Sequence, residues 1–480
     1  MKKFKNLIAL LLVAVMVFAL VACGEKDGET SKDNTTNKTD QTADKTEDDE
    51  EKEPDGEKPD DKDDTPKGKV VFWGGQFGSD KIFEKFKEDT GWDYEYPLNW
   101  VDDKKLIAAC ASGAPPDAAF LYASYVPKLA AANLLQPYDK YAEEGKIDWG
   151  KYYDFAVDLG LYNGKHYSLP WDINGQILYY NKKLFEQAGL DPNSPPKTWD
   201  ELKDYAKKLT KFDSKGQLIQ QGFQSEYWKD VVFNFAATAE AGTVSTDPFE
   251  VKVNTPQMLE IWEMIKGFYD LHGGEDGLEK AKNAGVQFGL ESDTVAMKLD
   301  DAIWPAMSYD SEYPDLDYGV APVPTKNGEK FSMGVGATWS LVIPVKSKKP
   351  EGGFAVTKWF SELNNFEDAK ESFESDPDKY FYMPIALKED DQKIISDILP
   401  QIPDPQKRDR TIARAKLIGE NGISGGAGSP VDFGEMHKEQ WEKFYKGEMS
   451  AQESLAEWEK RAKETVETFL NEQKAMGIEN

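Results

Sequence analysis

Asn174-Gly175-Gln176-Ile177-Leu178-Tyr179-Tyr180-Asn181-Lys182-Lys183-Leu184-Phe185-Glu186-Gln187-Ala188-Gly189-Leu190, continuing to Pro196-Lys197-Thr198-Trp199-Asp200-Glu201-Leu202, is the stretch on which the fold turns. Residues 174–180 read as a strand. Thr198 and Glu201 stand three apart, the spacing at which hydroxyl and carboxylate satisfy each other's end amides in a capping box. Trp199, Leu202, Tyr205 and Leu209 then recur at helical spacing. A strand followed by a capped amphipathic helix is the building unit of an α/β fold.

Working outward, the same alternation recurs. Val70-Val71-Phe72-Trp73 is an apolar run ending in Gly74-Gly75, a buried strand leading into a loop. A helix follows, capped by Ser79 or Asp80, with Ile82, Phe83 and Phe86 on one face and Gly91 at its end. Residues 106–111 form another, closed by Gly113 and Pro115-Pro116. Residues 339–345 read as a further strand, and Ser450 with Glu453 opens a helix carrying Leu455, Trp458, Ala462, Val466 and Phe469. Such alternation predicts a mainly parallel sheet. Trp199, Trp262, Trp359 and Trp458 lie on helical apolar faces and are assigned to the core. Asp117 reads as a helix cap. Cys110, on the face of Leu106 and Ile107, reads as an inert core residue.

The first 66 residues follow another logic. Lys2, Lys3 and Lys5 precede an uncharged apolar run over 7–22, the composition of a secretory signal peptide. A membrane span would need about 20 apolar residues, more than this run offers. Leu20-Val21-Ala22-Cys23 resembles a bacterial lipobox, which implies cleavage after Ala22 and a lipid on Cys23. Residues 24–66 contain no Val, Ile, Leu, Phe, Tyr or Trp and cannot bury apolar surface, so 23–66 is expected to be a lipidated cysteine and a disordered acidic tether. The formal net charge of -29 disfavours nucleic acid as a partner. Of the 2 cysteines only Cys110 remains beyond Cys23, so no intramolecular disulfide is expected.

From Lys67 onward the chain resembles the family 1 extracellular solute-binding proteins that serve carbohydrate ABC transporters. Phe72-Trp73 and 83–91 look like the family's first strand and helix. Residues 111–117 are similar to its Ser-Gly-x-x-Pro-Asp turn, and 163–170 to its Gly-Lys-x-Tyr-x-x-Pro segment. The 179–190 segment is the most specific match. Ala296-Met297, Trp304, Ala321-Pro322-Val323-Pro324 and 334–345 follow in order. The resemblance implies a two-lobed α/β periplasmic-binding-protein-like fold of type II, hinged around a ligand cleft. One lobe is expected at 67–175 plus 334–386, the other at 176–333 plus 387–480. It further implies a monomer that takes a carbohydrate, docks on ABC transporter permease subunits, and works from the extracellular face of the cytoplasmic membrane through its lipid anchor.

A sugar offers an apolar CH face and a rim of hydroxyls, so its site needs flat aromatics beside Asp, Asn, Glu or Gln. Aromatics at strand ends and loops are the candidates. Trp73 ends the first strand. Tyr122 and Tyr125 follow the Pro-Asp turn. Trp171, Asp172 and Asn174 lie at the expected lobe crossing. Trp228 and Asn234 occupy the second lobe, Asp301 and Trp304 lie beyond Ala296-Met297, and Trp339 follows Gly334 and Gly336. No catalytic residue, cofactor or metal ligand is assigned. Gly422-Ile423-Ser424-Gly425-Gly426 matches Gly-x-Ser-x-Gly but lacks the strand-to-helix elbow that makes it a nucleophile. The 3 histidines are too far apart in sequence to suggest a zinc site. The alternatives are a peptide or polyamine binder on the same scaffold, a two-carboxylate surface glycosidase, which has no short signature, and a structural or adhesive lipoprotein.

Overall fold

Two sheets are built from strands that meet near residue 175. The computed structural model describes residues 67–74, 80–98, 101–224, 228–239, 241–242, 244–246, 249–328, 334–335, 338–363, 365–421, 429–431 and 433–475. Cys23, the signal and tether segments and the Gly-x-Ser-x-Gly match at 422–426 lie outside them.

The first sheet begins with β1 (Gly68–Trp73), β2 (Trp92–Glu95) and β3 (Ala118–Tyr122), with β1 parallel to both others. Parallel neighbours require a crossover, and two helices supply it. Asp80–Thr90 returns the chain between β1 and β2; Asp103–Ser112 does so before β3. Asp102 caps the second, accepting a hydrogen bond from the Lys105 amide at 2.7 Å, and Gly113 ends it at φ 76°, where a side chain would be strained. Asp117 does not cap a helix. It is buried, accepts hydrogen bonds from the Val71 amide (3.0 Å), the Ser347 hydroxyl (2.9 Å) and the Lys349 amide (3.0 Å), and so ties three segments together.

Two further strands complete this sheet. These are β4 (Leu169–Pro170) and β9 (Trp339–Val342), giving the order β2-β1-β3-β9-β4, with β9 antiparallel to β3 and to β4. The second sheet is built on β5 (Gly175–Asn181). It is flanked by β6 (Met297–Asp301) and β7 (Tyr318–Ala321), and β8 (Gly334–Val335) also pairs with β5; every one of these pairings is antiparallel. The expected mainly parallel arrangement therefore holds only for β1 to β3. Local alternation signals a crossover, but it does not say from which end a distant strand returns.

Strand alternation sends successive side chains of β5 to opposite faces. Leu178 and Tyr180 pack with Leu184, Phe185, Trp199, Trp262, Trp441 and Trp458, whereas Ile177 and Tyr179 pack with Tyr153, Tyr309, Tyr318, Tyr382 and Ile394. Both faces are buried, which explains the unbroken apolar run. Asn181 closes the strand and caps the helix Lys182–Gln187, its Oδ1 accepting from the Leu184 amide at 3.0 Å while its Nδ2 donates to the Leu290 carbonyl at 3.1 Å. The Thr198–Glu201 and Ser450–Glu453 capping boxes form as expected. Trp199, Trp262 and Trp458 are core; Trp359 is half-buried and donates its Nε1–H to Asp89 at 3.0 Å. Cys110 is buried, and that burial raises its thiol pKa.

The helix Pro350–Ser361 lies against the first sheet through a glycine pair. A Cβ on Gly352 would stand 2.2 Å from a Val70 methyl, and one on Gly353 would stand 2.3 Å from the Asp117 carbonyl oxygen. Neither distance leaves room for a methyl group. Gly353→Ala is expected to lower stability by about 1–3 kcal/mol, measured as a drop in the denaturation midpoint; an unchanged midpoint would show that the helix can simply slide.

Candidate functional site

Three stretches braid where the sheets meet. The Trp171 amide donates to the Trp339 carbonyl at 3.2 Å, the Ala386 amide to the Trp171 carbonyl at 3.4 Å, and the Ile173 amide to the Pro384 carbonyl at 3.5 Å. Asp172 sits in the middle. Its backbone bridges Ile385, and its Oδ1 accepts from the Trp339 amide at 2.6 Å. Its Oδ2 is buried with no hydrogen-bond partner. Burial holds this carboxyl well above the usual carboxylate range; the Trp339 amide opposes the rise and the charge of Asp301 adds to it. The Thr338 hydroxyl donates to the Asn174 carbonyl at 3.3 Å and carries the braid into β5.

Beyond the braid lies a second carboxylate. Asp301 ends β6 opposite Gln176. Its Oδ2 accepts from Asn174 Nδ2 at 2.6 Å, and its Oδ1 accepts from the amides of Ile303 (2.8 Å) and Trp304 (3.1 Å). Those amides open the helix Trp304–Glu312. Asp301 thus serves as its cap and as a negative charge at its positive end. Burial raises the proton affinity of Asp301, against these donors. Just past the cap, Trp304 and Met307 are each 37% exposed. They are three residues apart and so share a helix face.

The first sheet contributes Tyr122. Its ring lies 4.1 Å from that of Trp339 and 6.1 Å from that of Tyr125. Burial first, then the neighbouring Asp301, Tyr125 and Asp172, raise its hydroxyl pKa. Tyr122, Asp172, Asn174, Asp301 and Trp339 are therefore brought together, with Tyr125 and Trp304 adjoining them. Trp339 and Trp171 act here as buried walls. Trp339 stacks flat on Phe120 (4.8 Å, 2°) and Trp171 meets the same ring edge-on (5.1 Å, 90°). Trp73 is half-buried and packs with Ala119, Leu121 and Leu106, away from Phe120. Trp228 starts the helix Trp228–Ala239, and its side chain lies outside the described residues. Asn234, on that helix, is buried with neither amide atom hydrogen-bonded. The neighbouring Phe233 is 40% exposed. Sequence reasoning missed Met307; an apolar residue on a helix carries no mark of exposure, although Met307 stands one turn from Trp304.

A third carboxylate locks the braid from behind. Asp391 is fully buried and accepts from the hydroxyls of Tyr153 (3.0 Å) and Tyr382 (2.8 Å) and from the Ile385 amide (3.2 Å). The buried Arg414 donates to the carbonyls of Tyr382 (2.9 Å) and Ala302 (3.1 Å), linking this segment to the residue after Asp301. Among the described residues no three His, Cys, Asp or Glu side chains are placed to hold a metal ion, and no helix is long and apolar enough to cross a membrane.

The comparisons with known proteins agree with this architecture. The family of bacterial extracellular solute-binding proteins matches residues 76–362. The chain belongs to that family, and its fold is the two-lobed α/β fold of periplasmic solute-binding proteins. A binding protein of Brucella abortus (strain 2308) is 27% identical over 53% of this chain and 60% of its own length, so the chain spans about three-fifths of that relative. The sn-glycerol-3-phosphate-binding periplasmic protein of Shigella dysenteriae is 28% identical over 66% of this chain and 74% of its own. Two solved structures share the fold. The ABC transporter solute-binding protein of Thermotoga lettingae, bound with α-D-tagatose, has a TM-score of 0.60 at 22% identity, covering 83% of this chain and 100% of the other. The Listeria monocytogenes substrate-binding protein in complex with cycloalternan has a TM-score of 0.62 at 18% identity, covering 86% and 100%.

The Asp391 lock has a consequence for stability. Burial, opposed by its three donors, raises its carboxyl from 3.8 to about 6. The folded state thus holds a proton that the unfolded state releases first, and stability falls as pH climbs from about 4 to about 6. The contribution is about 2–3 kcal/mol. Denaturation of Asp391→Asn across this window is expected to show a flatter pH dependence than the parent; identical profiles would refute the assignment.

Proposed function

We propose that this chain captures a carbohydrate, an oligosaccharide in the first instance, between its lobes and delivers it to an ABC transporter for import. Trp304 carries this reading. An indole more than a third exposed, at the tip of a helix capped by Asp301, offers a flat apolar face directly beside hydrogen-bonding groups. That pairing suits a sugar, whose CH face stacks while its hydroxyls bond. Tyr122 and Asn174 complete the polar side. The saccharides in the solved relatives support the same class. Closure would follow from contacts made only when both lobes engage the ligand.

The wider assignment rests on the sequence. Residues 1–22 serve as the signal peptide, Cys23 carries the lipid, and 23–66 tether a monomer to the extracellular face of the cytoplasmic membrane, where it docks on permease subunits. The lobes are assigned as 67–175 with 334–386 and 176–333 with 387–480, although the pairing of β8 at 334–335 with β5 argues for moving that crossing toward β9. Two-chain lipidation supports stable anchoring, at roughly 0.8 kcal/mol per buried methylene.

The test is thermal unfolding of the purified protein against tagatose, mannotriose, maltotetraose and cycloalternan, with peptides and polyamines as controls. A saccharide at about a hundredfold its dissociation constant should stabilise by about 2.7 kcal/mol. Trp304→Ala should then weaken binding of that saccharide by about thirtyfold, roughly 2 kcal/mol, at unchanged stability of the free protein. Shifts with peptides or polyamines alone would refute the carbohydrate reading, and consumption of the sugar would establish an enzyme.

A further inference from the structure

The polar end of this site is built around the Asp301 carboxylate. Burial first, then the nearby Asp301 carboxylate, raises the Tyr122 hydroxyl pKa, so this corner of the site is acidic in character. The nearest cation along β6, Lys298, is three residues before Asp301 and therefore on the opposite face of the strand. It is engaged there, with its Nζ 2.6 Å from Asp300 and 5.5 Å from the centre of the Tyr309 ring.

Three neutral donors beside Asp301 are engaged by the chain itself. The amides of Ile303 and Trp304 would be the natural cradle for a phosphate or carboxylate, since a helix N-terminus gathers free N–H groups and partial positive charge. Both amides already bond to Asp301 Oδ1, and Asn174 Nδ2 bonds to Oδ2. The chain's own carboxylate fills the anion position. An acidic ligand group would meet it as a like charge in a partly buried setting, where repulsion is several times stronger than in water. A hydroxyl can instead donate to such a carboxylate.

We infer that Asp301 is a specificity-determining residue that restricts this site to uncharged, hydroxyl-bearing ligands and rejects phosphorylated and acidic sugars, by occupying from within the chain the helix terminus that an anionic group would need. The inference rests on the carbohydrate reading and narrows it.

Matched pairs test it. The purified full chain is titrated by calorimetry with maltose against maltose 6′-phosphate, and with mannotriose against its C1-oxidised aldonic acid. The neutral member of a binding pair is expected to bind at least about tenfold more tightly. Added salt should strengthen binding of the acidic member and leave the neutral one unchanged, because screening relieves repulsion. Asp301→Asn, which keeps a cap but removes the charge, should narrow the neutral-to-acidic ratio about tenfold. Equal or tighter binding of the acidic member overturns the inference and leaves the carbohydrate reading standing. Discrimination that survives intact in a folded Asp301→Asn protein overturns the role of Asp301. If neither neutral sugar binds, the pair is rebuilt on whichever saccharide of the thermal panel does, and a panel with no saccharide binder overturns the carbohydrate reading and this inference with it.

Discussion

The hydrogen bond from the Trp339 amide to Asp172 is the contact on which the junction depends. It is short, at 2.6 Å, and fully buried, so water cannot compete for either partner. It joins the stretch that leaves the first sheet for β5 to the stretch that returns from β8 to β9. The backbone bridge between Asp172 and Ile385 adds the third stretch. A buried carboxylate is costly to leave half-satisfied, yet Oδ2 of Asp172 finds no partner. The arrangement is tolerable because burial favours the neutral acid, which costs far less to desolvate.

The same economy of donors governs the ligand side. Asp301 draws together the side-chain amide of Asn174, just before β5, and two backbone amides at the start of the helix after β6. In doing so it fixes where that helix begins, and therefore where Trp304 stands. Position and charge are set by one residue. The aromatic platform and the electrostatic character of the site cannot vary independently while Asp301 remains.

Much of this was legible in the chain, and what was not has physical causes. The strand over 174–180 declared itself because both of its faces are buried, leaving an unbroken apolar run. Capping boxes were visible because hydroxyl and carboxylate sit three residues apart. Trp304 stood out by its place after Ala296-Met297. Strand direction beyond β3 was not legible, since pairing depends on residues more than a hundred positions away. Asp117 looked like a cap because its partners, Val71, Ser347 and Lys349, are distant in sequence. Asp391 carried no local mark for the same reason.

The course of β9 bears on how the protein reaches this state. It inserts into the first sheet beside β3, with Trp339 opposite Tyr122, about two hundred residues later in the chain. The first lobe therefore cannot close its sheet until most of the second has been made. Until then β3 presents an unpaired edge, a surface prone to wrong pairing. Contacts of such separation also fold slowly, because a long loop must be ordered before they form. The interlacing that couples the lobes in the finished protein thus lengthens the time for which the unfinished chain is vulnerable, and makes its maturation a late, concerted event instead of a domain-by-domain one.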